Sequence, residues 1–264
     1  DEEAKPKYGL VVGYVQSGKT ANYTGLIARA ADSGYKLIIV LTGGTSDLRN
    51  QTQKRISREL TGTELDTIGG SHVDGESYSR QWHEVTKVTN LDNLPPNSTK
   101  KDEGDVSGSD ANKDDVFFED DRPILVVMKK IRPSLEPLIE WLGGIDEAKR
   151  KNSPLLLIDD ECDYASVNTS NNQTANRVNE LVRTTLALFE RHAYVGYTAT
   201  PFANVFAAVR RDATPWPTLY PRDFILALGE PREYIGYKHL FPQNPSEEPN
   251  QFSRLCVVEE GEAH

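Results

Sequence analysis

An eight-residue run, GYVQSGKT at positions 13–20, restricts the fold of this chain more than any other feature. Residues 8–12 before it are apolar and predict a buried strand, and residues 20–32 after it are compatible with a helix. The glycines of the run allow the backbone to turn tightly between these two elements. A strand, a tight loop and a helix in immediate succession predict an α/β unit in which the helix packs back on a sheet.

The run matches the pattern G-x-x-x-x-G-K-S/T, which is typical of loops that bind nucleotide phosphates. In such loops, backbone N–H groups point at phosphate oxygens beside a helix N-terminus. Lys19 is expected to reach the β- and γ-phosphates, and the Thr20 hydroxyl to bind magnesium. A glycine-rich turn with an incidental lysine is the weaker alternative in this strand–loop–helix context. The sequence therefore predicts ATP and Mg²⁺ as cofactors, bound by Gly13, Gln16, Ser17, Gly18, Lys19 and Thr20.

Further apolar runs extend this unit into a sheet. They are continuous rather than alternating, as expected of strands buried on both faces of a parallel sheet. Helix-compatible stretches separate several of them, which favours a three-layer, doubly wound, mainly parallel α/β fold. The predicted strands are residues 8–12, 36–41, 123–128, 154–158 and 193–197, and the predicted helices are residues 20–32, 46–60, 133–142 and 177–191.

Two regions depart from this alternation. Residues 61–121 are rich in Gly, Ser, Asn and Asp and predict an insertion, in which only residues 82–91 resemble a strand. Nine acids and two lysines lie between residues 101 and 121, so the insertion is expected to be acidic and mobile from about residue 97. Residues 1–210 are assigned to one lobe and 211–264 to a linker or accessory arm, with possible strands at 223–228 and 255–258.

Composition limits the classes of function. The net charge of −10 argues against general electrostatic attraction to nucleic acid, although much of it lies in the acidic insertion. The two cysteines form no C-x-x-C pair, and the five histidines lack metal-ligand spacing, so neither a disulfide framework nor a zinc site is expected. No stretch resembles a signal peptide or a membrane-spanning helix, which favours a cytoplasmic protein without membrane partners.

A second candidate site segment is LLLIDDECD at positions 155–163, an apolar strand that ends in carboxylates. Ligands of open α/β sheets collect at this end of the strands. We expect Asp160 to hold magnesium and Glu161 to act as the base that activates water. The other register, with Asp159 on the metal side and Asp160 as the base, remains open, as does a helix N-terminus that merely carries acids.

The D-E-C-D run at 160–163, followed by T-A-T-P at 198–201, resembles motifs II and III of superfamily 2 helicases and translocases. The resemblance implies a RecA-like ATPase lobe in which Asp163, Thr198, Ala199 and Thr200 couple nucleotide state to nucleic-acid contacts. Residues 45–51 resemble motif Ia by a T-x-x-L-x-x-Q pattern, although the family's preceding proline is replaced by Gly44. This implies backbone contacts to nucleic acid by Thr45, Arg49 and Gln51, whereas an ordinary capped helix is an equal alternative.

Taken together, GYVQSGKTANY, LIDDECD, GYTATPFANVF and YPRDFI are similar to the bacterial "Z-one" domain family, which is associated with endonucleases and with restriction and defence gene sets. This resemblance spans about residues 8–223 apart from the acidic insertion. It implies double-stranded DNA as a partner, together with nuclease or other defence-complex subunits. The Glu147-Ala148-Lys149 run fits part of a restriction nuclease core, but it lacks a partner aspartate and predicts a solvated charge cluster instead.

The leading hypothesis from the sequence is the ATP-hydrolysing motor lobe of a DNA translocase. No second strand–helix series with an arginine-bearing motif follows Pro201, so the isolated lobe is expected to be nearly inactive and to need a second RecA-like lobe. The alternative is a nucleotide-gated switch or scaffold that controls protein assembly without moving on nucleic acid. A small-molecule kinase is disfavoured, because D-E-C-D and T-A-T-P have no role there.

Overall fold

A computed structural model describes residues 5–14, 18–61, 82–86, 118–163, 173–201 and 219–229. Within these residues the protein forms one sheet of seven strands, all parallel. The chain divides into two compact units, Asp1–Leu228 and Gly229–His264, and the second lies outside the described residues after Gly229. The α/β class and the parallel sheet expected from the sequence are therefore confirmed.

The strand order across the sheet is β3-β4-β2-β5-β6-β1-β7. The five strands predicted from apolar runs all form, with ends that differ by one or two residues. The strands are β1 (Lys7–Val12), β2 (Leu37–Thr42), β3 (His83–Glu84), β4 (Ile124–Lys129), β5 (Leu155–Asp160), β6 (His192–Thr198) and β7 (Phe224–Ala227).

Helices cover both faces of this sheet. Their bounds are α1 (Lys19–Asp32), α2 (Ser46–Ile56), α3 (Arg132–Gly144), α4 (Glu147–Asn152) and α5 (Gln173–Ala187), and a π-helical turn, Ser57–Thr61, extends α2. Helices α1 and α2 contribute to one hydrophobic core, and α3 and α5 to the other. The protein is thus a three-layer α/β sandwich with two cores.

The alternation of side chains along each strand assigns residues to these two cores. In β2, Leu37, Ile39 and Leu41 pack in the core of α3 and α5, and Ile38 and Val40 in the core of α1 and α2. Successive side chains of a strand point to opposite faces. All five are fully buried, because helices cover both faces of the sheet. The same period of two determines which carboxylate of β5 faces α1.

The sheet includes segments that the sequence assigned to other regions. Strand β7 lies beyond the predicted lobe boundary at residue 210, yet it pairs with β1 as an edge strand. Strand β3, from the predicted insertion, pairs with β4 at the other edge. The compact unit therefore extends to Leu228 rather than to residue 210.

Other expectations for these two regions fall outside the described residues, namely the acidic stretch from residue 97 to 117 and the strand at 255–258. Among the helices that the structure describes, none combines the length and apolarity needed to cross a membrane.

Candidate nucleotide site

The carboxyl ends of β1, β6, β5 and β2 lie next to one another along one edge of the sheet. The glycine-rich loop follows β1 and the acidic run follows β5, with β6 between them. Since neighbouring strands are about 4.8 Å apart, these two strand ends are separated by roughly 10 Å. That distance suits a ligand with several phosphate groups.

The described part of the glycine-rich loop shows how it turns into α1. Gly18, the residue before the helix, has φ +84°, a left-handed conformation that glycine adopts readily. The Lys19 ammonium donates hydrogen bonds to the backbone oxygens of Tyr14 at 3.0 Å and Gly13 at 3.5 Å, so it folds back over the loop. The Gly13 N–H donates to Thr198 O at the end of β6. Gln16 and Ser17 lie outside the described residues.

The two aspartates at the end of β5 face opposite sides of the sheet. Asp159 is fully buried, forms an ion pair with Lys130 at 2.7 Å, and accepts a hydrogen bond from the Tyr194 hydroxyl. Asp160 points to the other face, where the Tyr23 hydroxyl of α1 donates to its carboxylate at 3.3 Å. The period of two in β5 explains this difference, and it leaves Asp160 as the carboxylate on the side of Lys19 and Thr20.

Tyr23 connects α1, the helix after the glycine-rich loop, with the acidic run. Its hydroxyl donates a hydrogen bond to the Asp160 carboxylate at 3.3 Å. Burial raises the pKa of the Asp160 carboxyl and the neighbouring Glu161 carboxylate raises it further, whereas the Tyr23 hydrogen bond and the Lys19 charge act in the opposite direction. The neighbours of Asp160 therefore do not fully offset the cost of burying its charge.

Glu161 has an exceptional backbone conformation for its residue type. Its φ of +54° lies in the left-handed region, and its side chain is exposed at the sheet edge. A methyl group on Gly43 would lie 3.3 Å from Glu161 Oε2, so this carboxylate reaches over the loop after β2. The turn thus directs Glu161 outward, away from the buried pair formed by Asp159 and Lys130.

Asp163 links the acidic run to the end of β6. One of its carboxylate oxygens accepts a hydrogen bond from the Thr198 hydroxyl at 2.8 Å, and the other accepts one from the Thr200 hydroxyl. The Thr200 N–H in turn donates to Thr198 Oγ1, while Ala199 between them is half-buried. The structure therefore brings together three of the four residues that the sequence assigned to coupling, and Ala199 lies in the same turn.

Close packing of β5 on β6 supports this turn. The Cys162 N–H donates to Tyr197 O, and the Cys162 thiol lies over Gly196, where a Cβ would be 2.8 Å from Sγ. Burial raises the pKa of that thiol well above its usual range. Cys162 is therefore a packing residue between the two strands.

The three residues expected to contact nucleic acid differ in their placement. Thr45 caps α2 by accepting a hydrogen bond from the Leu48 N–H, and Gln51 is exposed. Arg49 is fully buried and donates to the Asn50 side chain. Its guanidinium is not displayed at the surface, because α2 packs that face against the sheet.

The Glu147-Ala148-Lys149 run lies in the short exposed helix α4. Asp146 caps this helix, and Glu147 and Lys149 pair with Lys151 and Glu119 respectively. These contacts agree with the solvated charge cluster expected from the sequence.

The sequence did not single out Tyr23 and Lys130 as site residues. Tyr23 follows the loop by three residues, so its position on the first turn of α1 was a usable signal. Lys130 comes immediately after an apolar strand, and this position is a weaker signal in the sequence. Its partner Asp159 is two strands away in the sheet and depends on the strand order.

The donor set at this edge fits magnesium better than a softer metal. Among the described residues, no group of three or more His, Cys, Asp and Glu side chains could hold a metal ion. Magnesium is commonly held by one or two carboxylates together with substrate phosphates and water, and the oxygens of Thr20 and Asp160 meet that need.

Comparisons with known proteins leave the family open: neither a protein-family model nor a curated protein matches the chain.

Proposed function

We propose that this protein binds Mg·ATP at the carboxyl edge of the sheet and hydrolyses it. The observation that carries the proposal is the hydrogen bond from the Tyr23 hydroxyl, on the first turn of α1, to the Asp160 carboxylate at 3.3 Å. It makes the helix that follows the glycine-rich loop a direct neighbour of the acidic run, 137 residues away in sequence.

In this proposal Lys19 and Thr20 bind the ligand. The Lys19 ammonium, now on the oxygens of Gly13 and Tyr14, would exchange those neutral acceptors for charged phosphate oxygens, which form stronger hydrogen bonds. Thr20 and Asp160 would hold magnesium, which would neutralise charge on the phosphates. Each ligand is an oxygen, as a hard cation prefers.

Glu161 is the proposed general base. It is exposed at the sheet edge next to the half-buried Asp160, so its carboxylate can accept a proton from a water that attacks the terminal phosphate. Asp160 and Glu161 thereby take different roles, because one is committed to Tyr23 and the other reaches outward.

Asp163 connects the acidic run to the turn after β6 and, through Thr198, to the glycine-rich loop. It holds Thr198 and Thr200, and the Thr198 backbone oxygen holds Gly13 at the start of the phosphate loop. A change at the loop can therefore reach the turn after β6 through two hydrogen bonds. This supports the resemblance to superfamily 2 motors, in which such a turn couples ATP hydrolysis to DNA; we extend the proposal to a RecA-like lobe that works with a second lobe and with restriction or repair nuclease subunits.

The test combines nucleotide binding and phosphate release, each with and without Mg²⁺ and double-stranded DNA. We expect Mg²⁺-dependent ATP binding, slow hydrolysis by this chain alone, and acceleration when DNA and a second lobe are present. No binding of ATP at millimolar concentration would overturn the proposal. Rapid hydrolysis by the chain alone would overturn the two-lobe part of it.

One observation favours the nucleotide-gated switch as a second candidate. Arg49, the cation that the family resemblance assigns to the nucleic-acid backbone, is fully buried. ATP hydrolysis that DNA does not stimulate, combined with ATP-dependent association with a protein partner, would support the switch over the motor.

A further inference from the structure

Lys130 is buried beside the acidic run and uses its full hydrogen-bonding capacity there. Its side chain has no exposed area, and its ammonium donates to Asp159 Oδ1 at 2.7 Å, Asp160 O at 3.0 Å and Glu161 O at 2.7 Å. An ammonium has three N–H donors, so these three acceptors satisfy it completely. One acceptor is a counter-ion, and the other two are consecutive backbone carbonyls.

These two carbonyls belong to the peptide groups on either side of the Glu161 Cα atom. Their orientations are set by the Glu161 dihedral angles, of which φ is +54°. A residue with a long side chain rarely adopts this left-handed conformation. Because Lys130 draws both carbonyl oxygens to one point, it stabilises the peptide orientations that this conformation requires.

The conformation decides where the acidic side chains point. Glu161 is directed outward over Gly43, Cys162 turns inward against Gly196, and Asp163 reaches the hydroxyls of Thr198 and Thr200. A turn with a more usual φ at Glu161 would redirect these side chains. The contacts of residues 161–163 therefore depend on the two carbonyls that Lys130 holds.

We propose that Lys130, anchored by Asp159, is a positioning residue that holds the turn of residues 160–163 so that the Glu161 carboxylate stays exposed at the carboxyl edge of the sheet. The predicted effect on turnover rests on the proposed ATPase function. The effect on the turn itself does not, because it concerns contacts within this chain.

The test measures whether the turn opens when Lys130 is removed. The sequence contains two cysteines, so the variant Cys256→Ser leaves Cys162 as the reporter thiol. In this background, the double variant K130M/D159N removes the ammonium and its buried counter-ion together, which avoids leaving one charge unpaired. The matched control is Tyr194→Phe, which removes a hydrogen bond to the Asp159 carboxylate but leaves Lys130 and both carbonyls in place.

We expect a thiol reagent to modify Cys162 at least about tenfold faster in K130M/D159N than in Y194F, when the two are compared at equal margins below their melting temperatures. Nucleotide affinity should change little, whereas kcat should fall about as far as in Glu161→Gln. Equal rates of thiol modification in both variants would overturn the proposal, since Lys130 would then be only part of the core.

If K130M/D159N does not fold, K130Q/D159N serves instead, because the glutamine amide can still donate to one carbonyl, and an intermediate modification rate is expected. Failure of both variants to fold while Y194F folds would overturn the proposal, because Lys130 would then be needed for the whole domain. If the wild-type chain neither binds nor hydrolyses ATP, the proposed function fails while the thiol experiment still decides the role of Lys130.

Discussion

The sheet has an amino edge, where its parallel strands begin, and a carboxyl edge, where they end. These two edges differ in what their charged groups contact. At the amino edge, each of two aspartates has a basic side chain as a partner: Asp120 binds Lys36, His83 and Arg122, and Asp223 binds Lys7. At the carboxyl edge, Asp159 forms a buried ion pair with Lys130, but the next residue, Asp160, has the Tyr23 hydroxyl as its side-chain partner, and Glu161 reaches outward. Asp120 and Asp160 therefore have different kinds of partner, a set of basic groups in one case and a neutral hydroxyl in the other.

The pKa shifts of these carboxyls follow the same division. Burial acts to raise the pKa of Asp120, but hydrogen bonds from Arg122 and His83 outweigh it and hold that pKa well below its usual range. Burial and the adjacent Glu161 raise the pKa of Asp160. A lowered carboxyl pKa means that the fold favours the charge, whereas a raised one means that the fold bears a cost for it. The fold thus bears a cost for the Asp160 charge, which the magnesium ion of the proposed function would offset.

The largest effect is expected for Glu161→Gln, a substitution at the carboxyl edge of the sheet. We expect kcat for ATP hydrolysis to fall by about 10²–10⁴-fold, as is usual when a general base is lost, while ATP still binds. Phosphate release and a fluorescent-nucleotide titration measure the two quantities. The matched control at the other end of the sheet is Glu119→Gln, since Glu119 is exposed and pairs with Lys149 at 3.7 Å, and it should leave both unchanged. An unchanged kcat in E161Q would remove Glu161 from the proposed mechanism.

Two lysines provide the next test. Lys19→Ala should weaken ATP binding by about a hundredfold, because a charged hydrogen bond to phosphate contributes up to about 3 kcal/mol. Isothermal titration with Mg·ATP measures this. Lys36→Ala, which removes the donor to Asp120 O, should leave ATP affinity unchanged and lower the free energy of unfolding by about 1–3 kcal/mol. Equal ATP affinities for K19A and wild type would contradict the assignment of the site.

Substitutions of two glycines by alanine compare how tightly the protein is packed near each edge. Gly196→Ala places a Cβ 2.8 Å from Cys162 Sγ in the buried turn, and should cost about 1–3 kcal/mol in urea unfolding. Gly9→Ala meets the Phe224 ring at 2.0 Å, but that residue is 43% exposed and its ring can swing into solvent. We therefore expect G9A to cost less than G196A, and the reverse order would show that the acidic turn is loosely packed.

The smallest expected effects have opposite signs. Asp160→Asn should raise the melting temperature by about 2–4 °C at neutral pH, because it removes a charge that burial disfavours. Asp120→Asn should lower it by a similar or smaller amount, since the Asp120 side chain is 38% exposed and solvent screens its ion pairs. Calorimetry measures both. A lower melting temperature for D160N would show that the Asp160 charge is stabilising.

The pH dependence gives the same comparison in another form. For Asp160 the folded-state pKa is above the ordinary value near 4, which is that of the unfolded state. Between these two pKa values the folded state binds more protons than the unfolded state, so the free energy of unfolding falls as the pH rises through this range. For Asp120 the folded-state pKa is below that value, so its contribution is complete above about pH 4 and is lost as the pH falls further. D160N should abolish the first dependence and D120N the second.

Local sequence was sufficient for the parts of the molecule that depend on neighbours in the chain. The continuous apolar run before Asp159 predicted β5, and the glycine-rich loop between two such elements predicted where α1 begins. The choice between Asp159 and Asp160 remained open in the sequence, since it depends on which face of the sheet α1 covers. Once that face is known, the period of two along β5 shows that Asp160 is the aspartate on the side of α1.

Features that depend on distant pairing were not predictable in this way. Arg49 was expected to be available to nucleic acid, but the packing of α2 against the sheet buries it. The strand at 223–228 was expected, whereas its partner was not, and its pairing with β1 moved the domain boundary. The sequence does not mark Lys130 as a site residue, because Asp159 becomes its neighbour only through the order of the strands.

The position of β1 between β6 and β7 also affects how the chain acquires its structure. Lys7 pairs with Ala193, and Gly9 pairs with Phe224, so the first strand must wait for residues synthesised near the end of the compact unit. At ordinary translation rates of about 5–20 residues per second, that delay is roughly 10–40 s. Throughout it, the apolar strand β1 lacks both of its partners in the sheet, and a chaperone that binds such segments would be of most use during this interval.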